Sequence, residues 1–443
     1  MSTFSAHISR GASRRTALTV VVLTIAALQA MLPVNTGATD PEQFEGRAPT
    51  AQELEPAVQA AFPDQSYAPG DAARLVFFNS ANGVTLQILH SGPEGQPTPT
   101  YDVAHGQPVT KRTWVGAVRP GRSFVVRVGD WPSGVYFASL EAGDGRIGFA
   151  PFVLRPRRLG RHRIAVVLPT LTWQAYNRRD DGDGKGDTWY ADWSHKTARL
   201  GRPFLSRGVP YNFRVYDLPF LHWLAWNHHE VDVLSDADLG RVATGDALRR
   251  AYRFVVFPGH HEYVTAHEYD VVERYRDLGG HLAFLSANDF FRRVDVAGHV
   301  MHLVGLWRDL GRPEAALIGV QYRANDDGEH RAAWIVRHVE TEPWLFVGTG
   351  LRNGMRLGNA GIEIDRTSSA SPRGTRVLAE IPNLFGPGLT AQMTYYETSR
   401  GAEVFAAGAF TLAGSALQTN VGELLANLWQ HLGGSAPPAI SAP

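Results

Sequence analysis

Arg253-Phe254-Val255-Val256-Phe257-Pro258-Gly259-His260-His261-Glu262-Tyr263 is the stretch whose reading decides the fold. Four apolar residues in a row, stopped by Pro-Gly, read as a short strand buried on both faces, since a half-exposed strand alternates polar with apolar residues. Thr265 to Leu278 follows with helical spacing of its apolar residues. Strand, tight turn and helix form the unit of an open parallel sheet, where ligands sit in the crevice beyond the carboxyl ends of the strands. The turn is thus where chemistry is expected, and it holds His260, His261 and Glu262. The competing account makes the histidines polar turn residues and puts Glu262 at a helix N-terminus, where negative charge is favoured.

Working outward, Ile164 to Leu168, Phe213 to Tyr216, Val231 to Leu234 and Leu282 to Leu285 are further runs of strand length. Leu218 to His229 and Asp236 to Leu248 have helical spacing between them. This alternation predicts an α/β fold, a doubly wound parallel sheet with helices on both faces. Beyond Arg292, Gly-punctuated strands lead to an amphipathic helix, Val421 to Leu432, and then to a disordered tail. On the N-terminal side the pattern changes to period two. Ala73 to Phe78, Val84 to Leu89, Phe124 to Val128, Val135 to Leu140 and Phe149 to Leu154 predict a small all-β, immunoglobulin-like sandwich. Trp131 and Tyr136 are read as its core aromatics rather than as a sugar-binding platform. The expected organisation is a targeting segment over 1–40, the sandwich over 60–157, the α/β catalytic domain over 163–434 and the tail over 435–443.

The 443 residues carry 43 basic and 43 acidic side chains, so charge makes no case for nucleic acid or an anionic membrane as partner. Cysteine is absent, which removes disulfides, thiolate metal sites and cysteine nucleophiles together. Hydrolytic chemistry is left to Ser, Asp, Glu, His or a metal. Arg10, Arg14 and Arg15 precede the apolar run Ala17 to Leu32, with small residues around Ala30 and Ala38. This predicts export from a bacterial cell, to the periplasm or beyond, with no stable membrane insertion after processing. The paired arginines also suit the route that exports folded proteins. An uncleaved anchor is the competing reading.

The strand ends gather polar and aromatic residues on one edge of the predicted sheet: Thr172 to Asn177 after the first strand, Tyr216 at the end of the second, His260 to Glu262 after the fourth, Ser286 to Asp289 after the fifth. They suit a crevice, and spacing alone does not separate metal ligands from a sugar or peptide pocket.

Thr172-Trp173-Gln174-Ala175-Tyr176-Asn177, Val215-Tyr216-Asp217-Leu218-Pro219 to Trp223-Leu224, Phe257 to Tyr263, Leu285-Ser286-Ala287-Asn288 and Tyr395-Tyr396-Glu397 resemble, in order, the catalytic region of the N,N-dimethylformamidase large (beta) subunit family. The resemblance covers Ile164 to about Leu432. It implies a fold similar to class I glutamine amidotransferases and a hydrolase acting on carbon–nitrogen bonds other than peptide bonds. It also implies a mononuclear ferric iron held by Tyr176, Tyr216 and Glu262, with His260 moving or orienting a proton, Asn288 donating to substrate or oxyanion, and Glu397 as general base. Two phenolates and a carboxylate are hard oxygen donors suited to ferric iron. A metal-activated water would then replace the thiol that this fold ordinarily places at the sheet edge. A small amide is the expected substrate, with a small partner subunit or a second copy as expected partner.

Other patterns carry less. His261-Glu262 lacks the second zinc-protease histidine, since Thr265 stands there. Asp181-Gly182-Asp183-Gly184-Lys185-Gly186-Asp187 resembles a calcium loop but has Lys185 at a ligand position, and it is read as an exposed acidic turn. His228 and His229 end a helix, where histidine suits the dipole. The alternative from a different class is an exported, non-catalytic protein that holds a peptide or glycan in the same crevice.

Overall fold

In the computed structural model, the described residues are 53–95, 98, 100–181, 187–190, 194–326 and 328–434. The targeting segment, the tail and residues 182–186 of the acidic turn lie outside them. The centre is an 11-stranded mixed sheet whose strands we number in chain order. They are β1 (Ile164–Leu168), β2 (Asp232–Ser235), β3 (Phe254–Phe257), β4 (His281–Phe284), β5 (Gln321–Asn325), β6 (Arg331–Val336), β7 (Arg356–Arg366), β8 (Arg376–Ile381), β9 (Ala391–Glu397), β10 (Glu403–Ala406) and β11 (Ala409–Phe410). The order is β2-β1-β3-β4-β10-β9-β8-β6-β7-β5, with β11 on β7. β2, β1, β3, β4 and β10 are parallel, and the strands from β9 outward pair antiparallel.

The all-apolar runs are explained by two cores. Ile164, Val166 and Leu168 of β1, with Phe254 and Val256 of β3, face the helices Leu218–Trp226 and Thr419–Gly433. Ala165 and Val167, with Val255 and Phe257, face Gly245–Ala251 and Ala266–Asp277. Each fully buried Val or Phe contributes about 1.5–3 kcal/mol.

Three expectations are corrected. Phe213 to Tyr216 is not a strand but a helical turn that runs into Leu218–Trp226. Four residues are too few to separate period two from period 3.6, and only Phe213 of the four is buried. The fifth parallel strand is instead β10. Second, Asp236 to Leu248 is two short helices, Asp236–Leu239 and Gly245–Ala251. Third, the turn after β3 does not enter a helix directly. Tyr263–Thr265 forms a short strand parallel to Arg292–Ala297, and the helix starts at Ala266, capped by Thr265 with Glu268 completing the capping box. Glu268 therefore fills the helix N-terminal role that the competing account gave to Glu262.

The period-two region forms two sheets around one core, three strands (Ala60–Ala61, Ala72–Phe77, Ser123–Arg127) facing six. An edge strand, Thr113–Val118, had no sequence expectation. Within Gly134–Glu141, Tyr136, Ala138 and Leu140 point into this core while Val135 and Phe137 point into the core of the large sheet. Phe137 meets Phe213 edge-on at 5.4 Å, and Ser133 Oγ accepts from Val233 N at 2.8 Å. The two regions are thus fused through buried side chains, and this brings Tyr101 to the edge of the α/β crevice.

Candidate functional site

The order β2-β1-β3-β4 puts β1 beside β3 at the point where successive connections leave in opposite directions, and the crevice beyond their carboxyl ends is the expected ligand site. Tyr176 caps the helix Thr170–Ala175 that follows β1, and His260 to Glu262 follow β3. Gly259 permits their approach: a Cβ there would stand 2.6 Å from Asp217 Oδ1 and 2.8 Å from Pro169 Cγ.

A cavity of about 230 Å³ opens at this point, walled by Trp173, Tyr176, Tyr211, Tyr216, His260, Glu363 and Phe410 among others. Tyr176 donates its hydroxyl hydrogen to Glu262 Oε2 at 2.8 Å. Glu262 is 1% exposed, and its other oxygen accepts from Arg292 Nε at 3.2 Å. His260 Nε2 lies 3.6 Å from Glu262 Oε2 and 3.1 Å from Glu363 Oε2. Tyr216 is on the same wall, but its hydroxyl accepts from Asn212 Nδ2 at 2.8 Å and makes no hydrogen bond to Tyr176 or Glu262.

Burial, and then the charge of Glu262, hold the Tyr176 phenol well above its ordinary range; burial does the same to Tyr216. Burial alone would lower His260, but the carboxylates of Glu363 and Glu262 bring it up to about 9, so it is an imidazolium at neutral pH. Its neighbour behaves oppositely. His261 is buried and pushed down to about 3 by desolvation, its Nδ1 lies 3.2 Å from the Gly259 carbonyl oxygen, and its backbone N–H donates to Asp289. Of the two imidazoles, His260 belongs to the cavity and His261 to the scaffold.

Asn288, at the end of β4, has φ +57° and donates its backbone N–H to both oxygens of Asp365, at 2.9 and 3.1 Å. Its Oδ1 is buried without a hydrogen-bond partner. Glu397 is not brought to this group. It is exposed, ion-paired to Arg376 at 2.8 Å, and opposite Glu403, the first residue of β10. That is the amino end of the parallel strands, the far side of the sheet from the cavity, so geometry gives it no base role there.

Two carboxylates line the cavity, Asp217 and Glu363 of β7, and the one that meets His260 is Glu363, 6% exposed. It is aimed there by an irregularity: Ile362 has φ +67°, rare for a β-branched residue, and the register of β7 shifts between Gly361 and Ile364. Sequence reasoning missed it. The signal was Ile362-Glu363-Ile364-Asp365, two carboxylates alternating with isoleucines, a pattern equally suited to a surface strand.

The donor set suits a hard cation. Tyr176 donates to Glu262 at 2.8 Å, Tyr216 faces the same space, and the buried Glu363 Oε2 and His260 Nε2 face each other at 3.1 Å. Tyrosines aside, the described His, Asp and Glu residues offer one cluster tight enough for an ion, Asp180, Asp181 and Asp187. Arg199 pairs with two of the three, 2.6 Å from Asp181 and 2.8 Å from Asp187.

Residues 79–421 match the family described as N,N-dimethylformamidase beta subunit-like, C-terminal. The N,N-dimethylformamidase beta subunit of Alcaligenes sp. is 25% identical over 366 residues, covering 60% of this chain and 47% of that protein. The subunit of the same name from Paracoccus aminophilus is 24% identical over 385 residues, covering 64% and 50%. The chain spans about half the length of the curated relatives it matches. Among solved structures, a cycloisomaltooligosaccharide glucanotransferase from Paenibacillus sp. overlaps with a TM-score of 0.17 and 12% identity, over 40% of this chain and 27% of that one, a score that says nothing about fold. The family match starts inside the N-terminal sheets, earlier than the motif blocks from Ile164 onward implied. Since it takes in both the wall contributed by Tyr101 and the strand ends carrying Tyr176 and Glu262, the chain belongs to the N,N-dimethylformamidase beta subunit-like, C-terminal family.

Proposed function

We propose that this protein hydrolyses the C–N bond of a small amide with a mononuclear ferric iron held by Tyr176, Tyr216 and Glu262. The observation that carries the reading is the pairing of Tyr176 with Glu262 beside the His260 and Glu363 pair, in a cavity whose volume suits a small molecule. Bound there, the ion would supply Lewis acidity to the amide carbonyl and to water.

The chain's own groups account for the protons. Glu363 takes a proton from the attacking water as the C–O bond forms, and His260 as imidazolium gives one to the nitrogen as the C–N bond breaks. The proton then passes from Glu363 to His260 across their 3.1 Å contact, restoring the pair. One water is consumed, and a carboxylic acid and an amine leave. Asn288 orients the substrate or the oxyanion.

The same reading includes a class I glutamine amidotransferase-like α/β region behind an immunoglobulin-like sandwich, export under a cleaved leader, and assembly with further subunits, as the beta-subunit name of the relatives suggests. The test is iron content, visible charge-transfer absorption and amine release measured on one preparation. Iron near one per chain with amine release supports the proposal. Colourless protein with stoichiometric zinc removes the iron, and full iron with no amine released from a broad panel favours the binding-protein alternative.

A further inference from the structure

Arg331 opens β6 and lines the cavity. Its stem crosses Gly361, where a Cβ would meet Arg331 Cγ at 2.8 Å and the His330 carbonyl oxygen at 2.3 Å. The close pairing of β6 with β7 therefore requires glycine there and leads the side chain toward the cavity. A Cβ on Gly328, itself a wall residue, would stand 3.9 Å from Arg331 Nη2.

The other charged side chains on this wall are engaged. His260 and Glu363 meet at 3.1 Å, and Asp217 Oδ2 accepts from Trp173 Nε1 at 3.3 Å, its Oδ1 being buried without a partner. Nearby, Arg178 is paired with Glu53 at 2.8 Å, and Arg214 lies over the Tyr101 ring at 5.2 Å. Among the described charged side chains that line the cavity, that of Arg331 alone has neither an ion pair nor a hydrogen bond. It is exposed at the cavity mouth with Ile362 on the same wall, and its guanidinium is a planar fork of donors of the kind that fits a carboxylate. A neutral alkyl amide offers that fork one carbonyl oxygen, whereas a carboxylate offers two charged oxygens in the bidentate geometry that suits it.

We propose that the amide taken by this site carries a carboxylate, which pairs with Arg331 while the amide group reaches Glu363 and His260. This deepens the amidohydrolase reading and rests on it. The site then selects the monoamide of a dicarboxylic acid or an N-acylated amino acid over simple alkyl amides. The pairing is at the cavity mouth, where water screens it, so a preference of about tenfold is expected rather than a larger one.

The test compares shape-matched pairs on the protein with its native metal. N-methylsuccinamate is set against N-methylpentanamide, and N-acetyl-β-alanine against N-butylacetamide. Binding is measured by calorimetry and turnover by amine release. The proposal expects one anionic member to bind about tenfold more tightly than its neutral partner, with the advantage lost in Arg331→Leu and partly kept in Arg331→Lys. It also expects the advantage to shrink with added salt. Equal binding within both pairs, or an advantage that survives Arg331→Leu, overturns it. Turnover of neutral and anionic amides alike would leave the amidohydrolase reading standing while removing this one. An Arg331-dependent binding preference with no turnover of either class would do the reverse.

Discussion

The two ends of the parallel strands are built from the same residue types and do opposite things. At the amino end, Asp232 accepts from the backbone N–H groups of Gly160, Arg161 and His162 and from the Tyr252 hydroxyl, the last at 2.9 Å. At the same end but on β10, across β1, β3 and β4 from it, Glu403 accepts from His431 at 2.7 Å and from the Tyr395 hydroxyl, and its N–H donates to His281 Nδ1 at 3.2 Å. A carboxylate so saturated is structure. At the carboxyl end, Asn288 Oδ1, Asp289 Oδ2 and Ser286 Oγ are buried without a hydrogen-bond partner, and the buried His260 Nε2 and Glu363 Oε2 face each other at 3.1 Å. Unmet buried groups cost about 1–3 kcal/mol each, so three of them within the strand-end segment Ser286 to Asp289 mark a place where the fold gives up stability. Four of the nine described non-glycine residues with positive φ, Asn212, Asn288, Phe290 and Ile362, lie at this end.

The sharpest way to break this contrast is Glu262→Gln. It keeps the shape and a carbonyl oxygen for Arg292 but removes a negative ligand, so iron and its colour should be lost and amine release should fall to background. Iron kept at full occupancy would exclude Glu262 as a ligand.

Next in size is a matched pair of substitutions. Glu363→Gln should hold its iron yet turn over on the order of a hundredfold to ten-thousandfold more slowly, as expected when a general base is removed. Glu397→Gln, at the opposite end and exposed, should change kcat little and stability by no more than about 0.5 kcal/mol. The reverse ranking would put the base back at Glu397 and contradict the geometry of β9.

At the amino end the expectation inverts. Asp232→Asn sets an amide N–H₂ among donors, so it should lower stability by about 1–3 kcal/mol, read as a drop in the denaturation midpoint. Its iron content and kcat per folded molecule should stay as in the wild type. A fall in kcat without a fall in stability would show that the two ends are coupled.

The difference between the ends was half legible in the sequence. Phe254 to Phe257 announced a central strand because burial on both faces leaves no polar position, and the turn after it was found from that strand alone. Tyr176 and Glu262 came from the same logic together with the ordered motif blocks, and the structure puts their side chains in contact. Phe213 to Tyr216 failed because its environment is set by the helix that follows, not by its own four residues. Glu363 and Arg331 were invisible for a different reason. Each reaches the cavity through a strand pairing, β7 with β5 and β6, that joins segments far apart in sequence. No local period reports such a pairing, and the irregularity at Ile362 has no signature in residue type. Glu397 was assigned through Tyr395-Tyr396-Glu397, where a motif in the right order sits on the wrong end of its strand.

The smallest expected effect concerns the carboxyl groups that the carboxyl end buries in excess. Glu268 and Asp236 lie together beyond β2, outside the candidate cavity, lining another of about 580 Å³. Burial raises both, and Glu268 is pushed up to about 7 from 4.5. Glu268 Oε2 accepts from Thr265 N at 2.7 Å, while Oε1 is buried with no partner. A proton on Oε1 removes the unmet charge and leaves the capping bond intact. The folded state therefore holds this proton more tightly than the unfolded chain does. Its contribution to stability is complete below about pH 4.5 and is lost as pH rises through about 7. Glu268→Gln keeps a carbonyl oxygen for Thr265 N and cannot ionise, so it should flatten the fall of the denaturation midpoint between those limits without altering iron content. Midpoints measured across that window in both proteins decide the matter. Parallel curves would mean that Glu268 is ionised in the native protein and that the surplus of buried carboxyl groups at this end is balanced by charges elsewhere.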